Sequence, residues 1–344
     1  MKVLFVTSRF PFPLEKGDKL RAYNFVKCLS EQHEVHLFAL SENEPEMAAI
    51  HELEKYCKSV TVVRLSKFQI VLNLLCALFS KLPFQVAYFS FENAAKKLAF
   101  SAQQIRPDVA FFHLIRTAEY ANAVDEIPKA IDYMDTFSVG VKRRLQTESF
   151  FTRWFWKWEY KKLLRYEASV FNTFQAHTII SEQDKNHLPV AQKQSVTVVP
   201  NGVAIQPLKH AIKKYDLIFA GNMSYPPNVE AVQFLVKKIM PLVWQKLPNT
   251  NVVIAGANPA ISVQNLASEK VEITGWVSDI SNYYNASKIL VAPMLISIGL
   301  QNKLLEAMSF AVPCVTSILA NNALKAEHGK QIFEAENPNQ YAEY

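Results

Sequence analysis

KVLFVTSRFPFPLEKGD, residues 2–18, begins with a short apolar run and ends in a proline-containing loop. A run of this length that ends in polar residues is typical of a buried parallel strand, here residues 2–7. The loop leads into an amphipathic helix predicted around residues 19–31, and EVHLFAL, residues 34–40, is the next apolar run. Strand, loop, helix and strand in this order predict the start of a doubly wound α/β sheet.

The same alternation continues along the chain and restarts once. The strands predicted in the first half are residues 59–65, 107–113, 129–135 and 176–181, with a long helix over 150–172. Residues 196–203, VTVVPNGV, end in a Pro-Asn-Gly turn. The strands predicted after this turn are residues 216–222, 251–257, 271–276, 288–294 and 312–317, with a helix from about residue 229. We therefore expect two Rossmann-like α/β domains, residues 1–200 and 201–344, with a hinge near residue 200.

Composition excludes several classes of protein. The chain has 344 residues, half of them apolar and one-fifth charged, with a net charge of +6 and a pI near 8.9. This balance can fill a core but is too weakly basic to indicate nucleic acid; it suits an anionic small ligand or an anionic membrane surface. The four cysteines are scattered without metal-ligand, redox or disulfide spacing. The start lacks a signal-peptide pattern, and the longest apolar stretch, residues 70–79, is too short for a membrane span, so we expect a cytoplasmic protein.

Residues 299–308, GLQNKLLEAM, place a glycine and three polar residues before a plain helix. A helix N-terminus presents unpaired backbone N–H groups and attracts phosphate. Gly299 would let the backbone approach a ligand, and Lys303 would add a positive charge on a diphosphate. The alternative is a polar helix start in which Lys303 and Glu306 form an ordinary (i, i+3) pair.

Three motifs stand in order along the chain: FPFPLEKGDKLR at 10–21, GNMSYPPNVEAV at 221–232 and GLQNKLLEAM at 299–308. With two α/β domains joined by PNGV, they resemble glycosyltransferase family four, which has the GT-B fold, and in particular its bacterial exopolysaccharide-type branch. The resemblance covers essentially the whole chain. It implies a retaining, metal-independent hexosyltransferase of surface polysaccharide assembly, with no cofactor and a nucleoside-diphosphate sugar as co-substrate. The donor would bind mainly to the second domain, and the acceptor, a glycan or a lipid-linked saccharide, mainly to the first.

The first motif leaves a strand and opens a helix. In a transferase of this kind, Gly17 would let the loop approach the donor phosphate or the transferred sugar, and Asp18 would cap the helix. Lys19 and Arg21 are interpreted as solvated helix charges. The alternative for this motif is an ordinary strand-to-helix turn.

The second motif also follows a predicted strand. Asn228 is a predicted N-cap, and Glu230 is expected in the first turn of the helix. The alternative is helix initiation by the two prolines alone.

The resemblance also assigns donor contacts. Glu306 would accept hydrogen bonds from the ribose hydroxyls, and Val277 and Asp279 would lie against the base. Asp279 is also interpreted as a cap of the following helix. The donor-binding residues expected are Gly17, Asp18, Gly221, Asn222, Val277, Asp279, Gly299, Gln301, Asn302, Lys303 and Glu306.

The sequence departs from the family at two positions and at its end. The family usually has an arginine soon after Gly221 and a lysine further on, both bound to the diphosphate, whereas Asn222 follows here. The phosphate charge must then rest on Lys303 and the helix N-terminus, or on another basic residue. The glutamate that the family places eight positions before Glu306 is Ile298. We also expect that the second domain is truncated and lacks the crossover helices of the family.

Two polar residues end neighbouring predicted strands, His113 and Asp135. The carboxyl ends of strands face the ligand crevice in open α/β sheets. We expect Asp135, as a catalytic group, near the transferred sugar or the acceptor hydroxyl, and His113 as a second catalytic candidate or a structural histidine. Asp132 and Asp135 lack the spacing of a metal-binding Asp-x-Asp, and positive helix ends would stabilise the leaving diphosphate. No residue is identifiable as a covalent nucleophile.

Residues 150–171 mix aromatic side chains with arginines and lysines. Such a helix would lie on the inner face of an anionic membrane as a peripheral contact, and the apolar run at 70–79 would touch a lipid-linked acceptor. The alternative is core packing with a basic solvated face. Two further functions stay open: an epimerase that changes a free nucleotide sugar without an acceptor, and a non-catalytic binding or partner subunit.

Overall fold

A computed structural model describes residues 1–147, 150–206, 212–296 and 300–344. The chain divides into two compact units, Met1–Pro200 and Asn201–Tyr344. Ile298 and Gly299, named above, lie outside the described residues. No helix within the described ranges is long and apolar enough to cross a membrane.

The described part of unit 1 contains seven strands: β1 (Lys2–Thr7), β2 (Glu34–Ser41), β3 (Ser59–Arg64), β4 (Val109–His113), β5 (Lys129–Asp132), β6 (Ala176–Ile179) and β7 (Val196–Val198). They form one parallel sheet in the order β3-β2-β1-β4-β5-β6-β7. The helices are α1 (Gly17–Ser30), α2 (Met47–Glu54), α3 (Lys67–Phe79), α4 (Phe84–Ala87), α5 (Glu92–Ile105), α6 (Phe137–Thr147), α7 (Phe150–Phe171) and α8 (Glu182–His187), with 3-10 turns at Ile115–Val124 and Lys193–Ser195.

The described part of unit 2 contains six strands: β8 (Tyr215–Ala220), β9 (Val252–Ala255), β10 (Val271–Gly275), β11 (Ser287–Ala292), β12 (Cys314–Ser317) and β13 (Phe333–Ala335). They form a parallel sheet in the order β10-β9-β8-β11-β12-β13. The helices are α9 (Pro226–Phe234), α10 (Met240–Lys246), α11 (Ile261–Gln264), α12 (Ser281–Asn285), α13 (Asn302–Ser309), α14 (Ile318–Leu324) and α15 (Pro338–Glu343). A π-helical turn, Leu235–Ile239, joins α9 to α10.

The central strands of both sheets are buried on their two faces, which explains why these strands read as continuous apolar runs. Phe5 of β1 and Phe219 of β8 are fully buried in the two cores. The strand order reverses between β1 and β4 in unit 1 and between β8 and β11 in unit 2. In sheets of this kind, ligands bind outside the carboxyl ends of the strands at such a reversal. The topology therefore indicates one ligand-binding edge in each unit.

Most element boundaries differ from the sequence prediction by a few residues, and three of them bear on the candidate sites. Helix α13 begins at Asn302, two residues before the apolar part of its motif. Helix α9 begins at Pro226, because proline at the first helical position has its backbone angle already set for a helix. Strand β5 ends at Asp132 rather than at residue 135, and Met134 has a positive φ of 61° that takes the chain out of the sheet.

Candidate functional site

Two glycines bring the ends of β8 and β9 close together in unit 2. A Cβ atom on Gly256, where φ is +148°, would lie 1.7 Å from the carbonyl oxygen of Gly221. A Cβ atom on Gly221, where φ is +151°, would lie 2.8 Å from Nδ2 of Asn228. Only glycine fits such backbone angles and such approaches. The predicted site residue Gly221 is thus required by packing at the ligand-binding edge.

Asn228 joins the β8–α9 loop to α13. Its Nδ2 donates to the carbonyl oxygen of Asn222 at 2.9 Å, and its Oδ1 accepts from Nζ of Lys303 at 2.7 Å. The predicted N-cap role of Asn228 is wrong, since α9 begins at Pro226 with Tyr225 in the cap position. The prediction of Glu230 in the first turn is wrong for the same reason. Asn228 is instead the link between two predicted donor-binding residues.

Lys303 is a buried cation in the first turn of α13, with 7% of its surface exposed. Besides Asn228, its Nζ lies 3.4 Å from Oε1 of Gln301 and 3.6 Å from Sδ of Met294. Burial lowers the pKa of Lys303 to about 7, although the nearby Glu306 carboxylate opposes this shift. Every hydrogen-bond partner described for the ammonium is uncharged, and Glu306 offsets only part of the effect of burial. A bound anion would therefore add counter-charge and hold the proton on Nζ.

Glu306 lies one turn further along α13 and is held by a tyrosine. Its Oε2 accepts from the hydroxyl of Tyr284 at 2.9 Å. Tyr284 is fully buried and stacks on Phe310 with ring centroids 5.4 Å apart. Burial raises the pKa of Glu306 above its usual value, against the effects of Tyr284 and Lys303. The carboxylate is therefore fixed in orientation, as a group that receives hydrogen bonds from a ligand needs to be.

The residues at the start of α13 are tied to the beginning of unit 2. Oδ1 of Asn302 accepts from Nδ2 of Asn201 at 2.9 Å, and Asn201 belongs to the Pro-Asn-Gly turn. Gln301 occupies the N-cap position of α13. These contacts bring Gln301, Asn302 and Lys303 together at the edge where Gly221 and Asn222 lie.

Val277 and Asp279 line a separate cleft. Its other walls include Lys214 and Tyr215, at the start of β8, and Tyr283 of α12. Oδ1 of Asp279 accepts from the backbone N–H that opens α12 at 2.9 Å, so Asp279 caps this helix from two positions before it. Val277 and Asp279 follow the carboxyl end of β10, whereas the start of β8 lies at the opposite end of its strand from Gly221. The contact of Val277 and Asp279 with a nucleotide base therefore stays a prediction.

In unit 1, Asp18 lies between two arginines at the end of β1. Its Oδ2 accepts from Nη1 of Arg9 and lies 3.6 Å from Nη1 of Arg116. Burial favours a higher pKa for Asp18, but the attraction of the two guanidinium groups outweighs it and the pKa is lowered. The predicted capping role of Asp18 is wrong, because α1 begins at Gly17 and Asp18 lies in its first turn. Asp18 is instead the counter-charge of Arg9 and Arg116.

Behind Asp18, a buried ion pair ties α1 to the centre of the sheet. Arg21 donates through Nε and Nη2 to the two oxygens of Asp132 at 2.8 and 2.7 Å. The hydroxyl of Thr178 adds a bond to Asp132 at 2.8 Å. Arg21 is 3% exposed, so its prediction as a solvated helix charge is wrong. Nε2 of His113 lies 3.6 Å from Asp132, and burial lowers the pKa of His113 to about 4, so this imidazole is neutral at pH 7.

Asp135 has a pKa near neutral pH at this edge. Burial raises the pKa of Asp135 to about 7, and the neighbouring Asp184 carboxylate adds to the shift. The residue before it, Met134, has a positive φ of 61°, and Leu114, directly after β4, has a φ of 70°. Bulky residues rarely adopt such angles, and strained backbone of this kind clusters at functional sites. A carboxyl group that titrates near neutral pH is suited to general acid–base work.

The sequence interpretation missed several residues at the two edges. Arg9 follows β1 by two residues, and Arg116 follows β4 by three. The rule that strand carboxyl ends face the ligand would have found both. Tyr284 gave no local signal, because its contact with Glu306 joins residues 22 positions apart. Among the described residues, no group of three or more His, Cys, Asp or Glu side chains is placed to hold a metal ion.

Comparison with known proteins gives a family match and several structures of similar fold. Residues 214–344 match the family model described as Glycosyl transferases group 1. Sucrose-phosphate synthase from Thermosynechococcus elongatus is 12% identical with a TM-score of 0.67, covering 100% of this chain and 88% of that one. Anabaena HepE in complex with UDP is 15% identical with a TM-score of 0.66, over 100% of this chain and 88% of that one. The chain has the GT-B fold.

A curated relative matches along nearly the same length. An uncharacterized 44.6 kDa protein in the cps region of Klebsiella pneumoniae is 22% identical over 360 residues, which cover 97% of this chain and 87% of that protein. The predicted α/β fold with two Rossmann-like domains of GT-B type is confirmed. The family match and the fold together support a glycosyltransferase.

Proposed function

We propose that this chain is a retaining, metal-independent hexosyltransferase of glycosyltransferase family four, in its exopolysaccharide-type branch. It moves a sugar from a nucleoside-diphosphate sugar to a glycan or a lipid-linked acceptor in the assembly of a surface polysaccharide. The match of residues 214–344 to a glycosyl transferase family supports the reaction class. The similarity to a protein in a cps region supports the pathway.

The observation that carries the donor assignment is the environment of Lys303. A buried ammonium with uncharged partners, in the first turn of a helix, is a site in need of an anion. A diphosphate bound there would accept hydrogen bonds from the Lys303 ammonium and from the backbone N–H groups at the start of α13. Glu306 would accept from the ribose hydroxyls of the same nucleotide. Since the HepE structure contains UDP, UDP is the first nucleotide to test.

In unit 1, Asp135 is proposed to act at the acceptor hydroxyl or at the transferred sugar. Its pKa near 7 lets it accept a hydrogen bond from a hydroxyl group in one protonation state and donate one in the other. The bond between the anomeric carbon and the diphosphate oxygen breaks as the acceptor oxygen bonds to that carbon, and the leaving diphosphate takes the hydroxyl proton. His113 stays neutral and donates or accepts a hydrogen bond without carrying charge. In this proposal the sugar keeps its anomeric configuration without a covalent enzyme intermediate.

A transfer assay tests the proposal. The protein is incubated with a panel of labelled UDP- and GDP-sugars and a solvent extract of bacterial lipid-linked saccharides. We expect label to enter the extract with one donor, and NMR coupling constants to show retention at the anomeric carbon. Asp135→Asn should lower the rate at least about tenfold, the range of a lost hydrogen bond to a charged group. An altered free nucleotide sugar without acceptor would favour the epimerase; nucleotide binding without turnover by any donor would favour the binding subunit.

A further inference from the structure

Two arginines stack on the same phenylalanine at the carboxyl edge of the unit 1 sheet. Cζ of Arg9 lies 5.7 Å from the ring centroid of Phe89, and Cζ of Arg116 lies 5.4 Å from it. The ring of Phe137 also packs on Arg116, with its centroid 4.9 Å from Cζ. Aromatic rings cover the planar face of a guanidinium and leave its N–H groups to bind in the plane. The two arginines are therefore held in place by rings that use none of their hydrogen-bond donors.

The two guanidinium groups share Asp18 as their close carboxylate. Asp18 accepts from Nη1 of Arg9, but its Oδ2 lies 3.6 Å from Nη1 of Arg116, too far for a hydrogen bond. Burial and the charge of Arg9 lower the pKa of Arg116 to about 10, so this guanidinium stays charged at pH 7. Asp135 also acts on Arg116, but with a pKa of about 7 it is partly protonated at neutral pH. A second anion beside the two arginines would relieve their repulsion.

A third cation, Lys19 in the first turn of α1, lies in range of Arg9. Burial lowers the pKa of Lys19, and the charge of Arg9 adds to this shift. Nζ of Lys19 is 3.9 Å from the carboxylate of Glu15, whose side chain is 39% exposed against 16% for Lys19. Glu42 is a further carboxylate in range, since Glu42 and Arg9 both act on the pKa of Tyr88, but Glu42 is exposed. Because water and salt screen exposed charges, positive charge dominates the buried part of this cluster.

Three buried polar atoms at this edge have no hydrogen-bond partner among the described residues: Nε of Arg116, the hydroxyl of Thr7 and Nε2 of His113. Thr7 is 1% exposed and pairs with His113 in the register of β1 and β4. Side chains alternate along a strand, so Thr7 shares a face with Phe5, whose ring stacks on His113 with centroids 6.4 Å apart. Asp18 acts on the pKa of His113, which places this face beneath the cluster. Buried polar groups are normally bonded, so these atoms indicate where ligand oxygens bind.

We propose that Arg9, Lys19 and Arg116 form an oxyanion site that binds a carboxylate or phosphate group carried by the acceptor sugar. Both groups accept several hydrogen bonds from guanidinium N–H groups, and the hydroxyl of Thr7 adds a donor. Asp135, assigned above to the acceptor hydroxyl or the transferred sugar, acts on Arg116, so the anion and the reacting hydroxyl belong to one bound glycan. That the ligand is the acceptor rests on the proposed function, whereas the binding of an oxyanion does not.

Ligand-observed NMR titration tests the proposal. The probes are glucuronate, glucose 6-phosphate and inorganic phosphate, with glucose as the neutral reference. We expect the wild type to bind one of the two charged sugars at least about tenfold more tightly than glucose, the range of a hydrogen bond to a charged group. Tighter binding of glucuronate would assign the site to a carboxylate, and tighter binding of glucose 6-phosphate would assign it to a phosphate.

Two substitutions test the residues of the site. Arg116→Gln should weaken the binding of the charged sugar at least about tenfold, and Arg116→Lys should restore only part of it, because lysine keeps the charge but lacks the planar fork. Thr7→Val should weaken the binding by about fivefold, the range of one neutral hydrogen bond. It should not lower the thermal midpoint, because the hydroxyl has no partner among the described residues. A purely structural role of Thr7 would lower the midpoint and leave the binding unchanged.

Matched controls come from β3 and from unit 2. Arg64 is an exposed arginine at the carboxyl end of β3, so Arg64→Gln makes the same change of charge at the same sheet. Thr61 is partly exposed on β3, and Thr61→Val is the control for Thr7→Val. Lys303→Met removes the buried cation of unit 2. All three controls should bind the charged sugar as the wild type does, and circular dichroism should show that every variant is folded.

Four outcomes overturn the proposal. The first is a wild type that binds neither charged sugar more tightly than glucose. The second is binding of inorganic phosphate without either charged sugar, which means an adventitious ion only. The third is equal weakening by Arg116→Gln and Arg64→Gln. The fourth is loss of binding in Lys303→Met but not in Arg116→Gln, which would assign the anion to unit 2. If the transfer assay fails while sugar binding depends on Arg116, the proposed function is wrong and the oxyanion site stands.

Discussion

In the proposed donor site, Lys303 should make nucleotide affinity depend on pH. Burial holds the pKa of its ammonium at about 7, so the neutral amine is the main form in the free protein above that pH. A bound diphosphate favours the charged form and raises the pKa. Binding at higher pH therefore takes up a proton, and the affinity falls as the pH rises from about 7 towards the pKa of the complex.

The size of the effect follows from the free pKa. With a pKa of about 7, the protonated fraction of Lys303 falls from roughly one quarter at about pH 7.5 to roughly one hundredth at about pH 9. If the pKa of the complex lies above this window, the nucleotide should bind about 25-fold more weakly at the upper pH, or about 1.9 kcal/mol. A terminal phosphate has its second pKa near about 6, so the ligand itself does not titrate there.

Calorimetric titration of UDP, and of GDP, measures this effect. At about pH 8.5, titrations in two buffers with different ionisation enthalpies should give an uptake that approaches one proton per nucleotide. Lys303→Met should bind weakly, with a flat pH profile and no proton uptake. A wild-type affinity that stays constant across the window would refute the reasoning, as would a Lys303→Met variant that keeps the wild-type slope.

Four substitutions, one of them a control, test other parts of the account. Asp132→Asn should lower the free energy of unfolding by about 3–5 kcal/mol in denaturant titration, because Arg21 loses its buried counter-charge; a loss below about 1 kcal/mol contradicts this. Gly256→Ala should prevent folding of unit 2, since its Cβ would lie 1.7 Å from a backbone oxygen. The control Gly329→Ala, where φ is +77° and the added Cβ meets no atom within 4 Å, should lower the free energy of unfolding by only about 1–2 kcal/mol. Equal losses of stability for the two glycine variants in thermal melts would contradict the role of close packing at Gly256. Asp135→Asn should raise the free energy of unfolding at about pH 7.5 by at most about 4 kcal/mol. The reason is that wild-type stability falls as the pH rises from the unfolded pKa of 3.8 to the folded pKa of about 7. An unchanged or lower midpoint in denaturant titration would contradict this.

The sheets could be predicted from the sequence because their signal is local. A parallel strand buried on both faces is apolar at nearly every position, so residues 2–7 and 34–40 predict strands that the structure places at Lys2–Thr7 and Glu34–Ser41. The strand ends also have a local signal, since polar residues follow each apolar run. This is why the predicted residues Gly221 and His113 lie at the ligand-binding edges.

The roles of single polar residues could not be predicted, because their partners are distant in sequence. Asp18 and Asn228 have the residue types of helix caps, but Arg9 and Lys303 bind them more strongly than a local backbone N–H would. Arg21 belongs to an amphipathic helix and has the pattern of a solvated charge, but its counter-charge stands 111 residues away on β5. Such pairs become visible only when the fold brings the elements together.

Calorimetric binding of UDP and GDP to the wild type, to Glu306→Gln and to Glu269→Gln tests the donor site most directly. Glu269 is an exposed glutamate of the same unit and serves as the matched control. The account predicts that one nucleotide binds, that Glu306→Gln weakens it by about tenfold or more through a lost charged hydrogen bond, and that Glu269→Gln leaves it unchanged. Absence of binding by both nucleotides, or a Glu306→Gln variant that binds as the wild type does, would contradict the donor site on unit 2.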